Sequence, residues 1–332
     1  MPRTLLDRND QMLRSSVAYL VVYFLLGHPS VPFAADAPKK DNPDSVEALT
    51  RYRTERKVNS AGNLIEVQFL DDVDGTAIKT LEGFPALEVL IVTIPRITDE
   101  TLGTISRLKH LRVLLIGTTR ISDDGLGRLA LLANLEELHL GNAKITGRGL
   151  QKLASNSKLK AISLAGSADD HGEISVLRLF KGLTYIDLYG TGITDRGFGE
   201  ISRIEGLTRL DISKTAISEE ALHDLKRLKC LRELSLPGSA SDQTISVVKE
   251  LKELHELSLD GSSVSMRGLS ELAALPDFEN LSLVRHCVTN NELNSLSKLP
   301  KLKSITLRQS SVSSEGVSRL RAARPELEVD LH

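Results

Sequence analysis

Residues 111–132 read LRVLLIGTTRISDDGLGRLALL, and residues 135–153, beginning twenty-four places later, read LEELHLGNAKITGRGLQKL. Laid over one another, Leu111, Leu114, Ile116, Ile121, Leu126 and Leu129 fall on Leu135, Leu138, Leu140, Ile145, Leu150 and Leu153. The spacing recurs from Leu159, Leu183, Leu207 and Leu231, then through Leu254, Phe278 and Leu302. Backwards it reaches Leu87 and Leu64; the steps from Leu64 to Leu87 and from Leu231 to Leu254 are one residue short. Eleven units thus cover residues 64–326. A fixed period of this length is the mark of a stacked repeat architecture.

Each unit changes its own period partway. The opening Leu-x-x-Leu-x-Leu alternates as a half-buried strand does. A turn follows, then apolar residues at every third position, as in Leu126, Leu129 and Leu132, which predicts a short helix or 3₁₀ turn. Helix-start signals stand between them: Thr98-Asp99-Glu100, Ser122-Asp123-Asp124, Thr194-Asp195 and Ser218-Glu219-Glu220. A hydroxyl there accepts from a free backbone N–H, and the acids complement the positive helix end. Glycine commonly comes next (Gly125, Gly149, Gly197, Gly268, Gly316), but other units carry Thr101, Glu173 or Ala221 there. Small size for close coil packing therefore explains the glycine better than a positive φ. One unit cannot bury its apolar face alone; stacked, the strands form a parallel sheet over a continuous aliphatic core. At about 4.8 Å per strand, eleven units span roughly 50 Å. The expected fold is an α/β solenoid, a horseshoe with a concave parallel sheet and short convex helices.

The pattern resembles the leucine-rich-repeat family, in its 24-residue bacterial-type form L-x-x-L-x-L-x-x-T-x-I-T-D-x-G-L. Residues 183–204, with Thr191-Gly192-Ile193-Thr194-Asp195-Arg196-Gly197-Phe198, and residues 207–228 are good copies. The resemblance covers about four-fifths of the chain. It implies a protein-interaction scaffold, and this repeat form is found in many exported bacterial proteins.

The ends carry different signals. Arg3, Arg8 and Arg14 precede the apolar run 17–26, then Gly27-His28-Pro29 and Ala34-Ala35-Asp36-Ala37. That order reads as a secretory signal peptide over residues 1–37, with Met12 as an alternative start. Ten apolar residues fall short of the roughly 20 that span a bilayer, so no stable membrane insertion is expected after cleavage. An uncleaved anchor is the competing reading. The expected location is secreted or periplasmic. Residues 38–43 read as a linker and residues 44–63 as an N-terminal cap of a helix and a first hairpin strand. Residues 327–332 read as a closing strand.

Little points to catalysis. There is no G-x-S-x-G elbow, H-E-x-x-H pair or phosphate-cradling glycine loop, and no cofactor is implied. Cys230 and Cys287 sit three units apart, about 15 Å, too far for a disulfide. Acidic loops such as Asp71-Asp72-Val73-Asp74 and Asp169-Asp170-His171-Gly172-Glu173 lack the spacing of a calcium loop, so no metal site is assigned. With 42 basic against 44 acidic residues, global charge steers the chain toward neither nucleic acid nor an anionic membrane.

Positions 3, 5 and 7 of each unit alternate with the buried leucines and so project from the sheet. In the second and third units they place Val89, Ile91, Val113 and Leu115 together as an apolar patch, which either marks an interface or is covered by the N-terminal segment. Further along, the face becomes polar: Glu137, His139, Tyr185, Asp187, Tyr189, Arg209, Asp211 and Glu233. Seven acids on these positions face two arginines, Arg209 and Arg308. Such a face suits a protein or peptide of basic or mixed charge and repels phosphate backbones. The expected function is a non-enzymatic protein-binding scaffold acting through this concave face. The alternatives are an effector or ubiquitin-ligase-type adaptor, and a cell-surface structural or carbohydrate-binding protein.

Overall fold

The computed structural model describes residues 39–331, apart from 94–96, 118–120, 168–172, 291–292 and 294–295. The expected signal peptide with Met12, and residues 169–172 of the acidic loop, lie outside the described residues. The chain divides into two compact units, Met1–Lys144 and Ile145–His332.

In the first unit, helix α1 (Pro43–Leu49) precedes a hairpin of β1 (Thr54–Val58) and β2 (Leu64–Phe69), which pair antiparallel. Asn42, from the expected linker, caps α1, its side chain accepting from the N–H groups of Asp44 and Ser45. The cap is tied to the first coil by Asn42 N to Gly83 O at 2.9 Å and Leu64 N to Asp41 Oδ2 at 2.7 Å. From β2 the strands run parallel through β3 (Val89–Val92), β4 (Val113–Ile116) and β5 (Glu137–Leu140). Between them lie α2 (Gly75–Thr80), α3 (Asp99–Ile105) and α4 (Asp123–Gly127).

The second unit repeats the scheme. It opens with α5 (Gly147–Lys152) and carries parallel strands β6 (Ala161–Ser163), β7 (Tyr185–Asp187), β8 (Arg209–Asp211) and β9 (Glu233–Ser235). β10 (Glu256–Ser258), β11 (Asn280–Ser282), β12 (Ser304–Thr306) and β13 (Glu328–Asp330) continue it. Helices α6 (Asp195–Ile201), α7 (Asp242–Val248), α8 (Met266–Glu271) and α9 (Ser314–Ala323) return the chain. Two coils use 3₁₀ turns instead, Glu173–Leu179 and Ala221–Arg227. The repeat leucines are the core: Leu183, Ile186, Leu188, Ile193, Phe198 and Ile201 of one coil are all buried. Each such side chain contributes about 2 kcal/mol of burial, which only the neighbouring coils make available.

The helix starts do more than cap. Ser122 accepts from the N–H groups of its own helix, as expected, and Ser265 does the same, whereas Thr194, also expected to cap, makes no side-chain cap bond. At several starts the first acid reaches into the following coil. Asp99 accepts from Ser122 N at 2.8 Å and from Ser122 Oγ at 2.6 Å. Asp195 takes the same two bonds from Ser218, both 2.7 Å, and Asp242 from Ser265, at 2.7 and 2.6 Å. Asn290 substitutes an amide for the carboxylate against Ser313. In the Gly125 and Gly268 coils this ladder leaves no room for a Cβ, while the Asp195–Ser218 coil keeps the same two bonds with Ala221 at that position, on a 3₁₀ turn. A Cβ on Gly125 would stand 1.9 Å from Asp99 Oδ1, and one on Gly268 2.3 Å from Asp242 Oδ1. Close coil packing, not a positive φ, sets the residue there. Gly268→Ala is therefore expected to lower stability by about 2 kcal/mol, read as a shift in the urea midpoint. An unchanged midpoint would contradict the ladder.

Apart from Gly62 in the hairpin turn, the positive φ values among the described residues fall at position 8, where the chain leaves the strand. Asn142, Gly166, Gly190, Lys214, Gly261, Arg285 and Gln309 all adopt it, at 49–72°. Among the described residues no helix is long and apolar enough to cross a membrane.

Candidate binding face

Strand alternation sets the outer face of each sheet. In the second unit β7, β8 and β9 stand in register, with Tyr185 opposite Arg209 and Arg209 opposite Glu233. One step along, Asp187 stands opposite Asp211 and Asp211 opposite Ser235. The parallel pairing thus brings Tyr185, Asp187, Arg209, Asp211 and Glu233 onto one face of the sheet, with Tyr189 just beyond β7, although Asp187 is buried at 5% exposure.

These side chains engage one another. The Arg209 guanidinium lies over the Tyr185 ring, 4.5 Å from its centroid, and pairs with Glu233 at 2.6 Å. Asp187 accepts from Ser163 Oγ at 2.6 Å and from Tyr189 N at 2.9 Å. Asp211 accepts from Ser213 N at 2.8 Å and Ser213 Oγ at 2.5 Å. Farther along, Asp260 accepts from Ser282 Oγ at 2.7 Å and Val284 N at 3.0 Å. Burial, reinforced by the Asp187 charge, pushes the Asp211 carboxyl up to about 7, against the pull of its bonds from Ser213. Burial also raises Tyr185, with Asp187 adding to it. Glu233 is raised by burial although Arg209 acts the other way.

Several solved structures are similar to the chain. An internalin from Listeria monocytogenes aligns at a TM-score of 0.50 and 17% identity, over 90% of this chain and 98% of its own. A leucine-rich-repeat protein of Leptospira interrogans aligns at 0.46 and 18%, over 76% and 74% of the two chains. TLR13, solved in complex with ssRNA13, aligns at 0.49 and 19%, over 76% of this chain and 40% of its own. The chain has the leucine-rich-repeat fold. No protein-family model and no curated protein sequence matches it. At these identities the likeness is one of fold.

Within that leucine-rich-repeat frame the expected site residues fare differently. Glu137 and His139 lie on β5 of the first unit, His139 Nε2 standing 3.5 Å from Glu137 Oε2. The apolar patch has two expected readings, an open interface or a covered face, and its exposure excludes only the open one. Ile91, Val113 and Leu115 are only 3%, 8% and 2% exposed, and Val89 alone is half-buried. Gln68, Ile91, Leu115 and His139 form one row across β2 to β5. The two tyrosines are also less open than their positions suggest. Lys214 Nζ stands 4.8 Å from the Tyr189 ring centroid, as Arg209 covers Tyr185. Lys214 is at position 8, outside the 3, 5, 7 register, so alternation does not reveal it. Glycine at the same place in other coils (Gly166, Gly190, Gly261) is the signal that marks it as a turn with its own geometry.

Cys230 and Cys287 are free and exposed. Among the described residues no group of three His, Cys, Asp or Glu side chains is arranged to hold a metal.

Proposed function

We propose that the outer sheet face of the second unit binds a protein or peptide segment of basic or mixed charge, and that the chain is a non-enzymatic scaffold exported through residues 1–37. The observation that carries this is the pair Asp187 and Asp211, side by side in register and flanked by Tyr185 and Tyr189. Two adjacent carboxylates draw a cation. The tyrosines add amphipathic area of the kind that dominates binding energy, and Arg209 with Glu233 supplies a polar rim. Lys214 and Arg209 already show how a cation is received on this surface, each over a tyrosine ring. Phosphate backbones carry the wrong sign for such a face.

Selection of a random peptide display library on the whole protein tests the reading. Enriched sequences are expected to be rich in Arg and Lys and to lose binding to the Asp211→Lys variant. Enrichment without charge bias, or binding indifferent to that change, would refute it.

A further inference from the structure

β1 is the first strand of the sheet and has a single neighbour, β2. Leu70 N donates to Arg53 O and Asn59 N to Asn63 O, so the odd-numbered residues of β1 turn their backbone groups to β2. The alternate residues, Thr54, Arg56 and Val58, then turn N–H and C=O outward. All of β1 but Thr54 is exposed, and Val58 keeps 60% of its surface. An open edge of this kind is a template for another strand.

Charged side chains ordinarily guard such an edge. Here their order is self-complementary. Lys57 lies on the outer face of the sheet, paired with Glu66 at 2.9 Å. Glu55 shares that face and has no ion pair among the described residues. Laid antiparallel to itself about a two-fold axis through Arg56, the strand sets Glu55 opposite Lys57 of the copy, and Lys57 opposite Glu55 of the copy. Thr54 meets Val58, and Arg56 meets itself. The Glu–Lys positions fall between hydrogen-bonded pairs, where facing side chains are closest. Lys57 then stands between two acids, its own Glu66 and Glu55 of the copy, as Arg112 stands between Glu88 and Glu136 of the flanking coils. A slip of two residues either way would set Glu55 against Glu55 or Lys57 against Lys57, which is unfavourable. A slip of one residue would oppose outward backbone groups to inward ones. The one like-charged meeting is at Arg56. Its Nε is directed to Thr54 Oγ1 and its Nη2 to Leu49 O at 3.0 Å, so the guanidinium is turned back onto its own cap.

We propose that β1 pairs antiparallel with β1 of a second copy of this chain, giving a two-fold dimer joined edge to edge at Arg56. The contact is isologous, each patch meeting its own image. A strand of five residues makes a small interface of the weak, concentration-dependent kind, with a dissociation constant on the order of tens of micromolar. It is independent of the binding role proposed for the second unit.

Sedimentation velocity of the whole protein, from low micromolar to several hundred micromolar, tests the pairing. The dimer fraction is expected to rise with concentration. Val58→Pro removes an outward N–H that β2 does not use, so the hairpin is kept, and the dimer should weaken by about tenfold or more. Glu55→Lys and Lys57→Glu each set like charges across the axis and should each be monomeric. An equimolar mixture of those two variants should recover the dimer, because they are complementary to one another. Recovery by mixing also shows that both variants are folded. A wild type that stays monomeric throughout, as it would if another segment of the chain or another protein took the edge, overturns the proposal. So does a dimer that survives Val58→Pro, or a mixture that stays monomeric.

Discussion

Replacing Arg324 by alanine is expected to cost about 3 kcal/mol and to loosen the last coil selectively. Arg324 follows α9, and its guanidinium reaches back into the preceding coil. Nη1 donates to the carbonyls of Ser297 at 3.0 Å and Leu299 at 2.9 Å, and Nη2 to Leu302 at 3.0 Å. Nε pairs with Glu326. The side chain is only 16% exposed, so water does not easily replace the lost donors. Charge-assisted bonds to part-buried carbonyls are the costly kind to remove. Lysines use the same repeat position less fully. Lys109 donates to Ser106 O and Leu131 O, and Lys252 to Lys249 O and Ala274 O, with one bond of each pair at 3.4 Å. Lys252→Ala should therefore cost well under half as much. Hydrogen exchange is the suitable measurement, because repeat coils open separately. Amides of β12 and β13 should exchange about a hundredfold faster in Arg324→Ala, and those of β7 should not change. Equal effects of Arg324→Ala and Lys252→Ala would contradict the argument.

The second large effect concerns binding. Asp187→Lys together with Asp211→Lys is expected to weaken capture of a basic peptide by about a hundredfold or more, since it replaces attraction by repulsion at a part-buried place. Tyr185→Ala should cost about tenfold, because it removes the ring that orders Arg209 as well as contact area. Glu315→Lys, on α9, is the control reversal and should leave the affinity unchanged. Surface plasmon resonance at two salt concentrations checks all three. A wild-type affinity insensitive to salt would mean that the acids are not the recognition element.

Much of this was legible in the sequence, and the limits fall at identifiable residues. Period alone identifies the core side chains, because they are the first, fourth and sixth residues of every repeating unit: Leu183, Ile186 and Leu188 needed no structure. Alternation likewise put Tyr185, Asp187, Arg209 and Asp211 on one face, and the parallel register aligned them. What period does not encode is the reach of a side chain into the next coil. Asp99 has the look of a helix-end acid and is also the acceptor for Ser122. Lys214 has the look of a loop lysine, yet a φ of 54° at position 8 accompanies its approach to Tyr189. Alternation assigns Ile91 and Leu115 to the correct face, but their burial, at 3% and 2% exposure, is not set by alternation. The helix begins inside the expected linker, with Asn42 as its cap, since Pro43 is suited to the first helical turn.

The most direct test of the central claim is where a selected basic peptide lands. A peptide carrying a photoreactive benzophenone, cross-linked to the whole protein and mapped by mass spectrometry, is expected to attach within residues 185–214, with attachment lost in the Asp187→Lys, Asp211→Lys variant. Attachment to the helices α6 to α9, or to the first unit with the reversal variant unaffected, would show that the acidic, tyrosine-bearing face is not the binding surface.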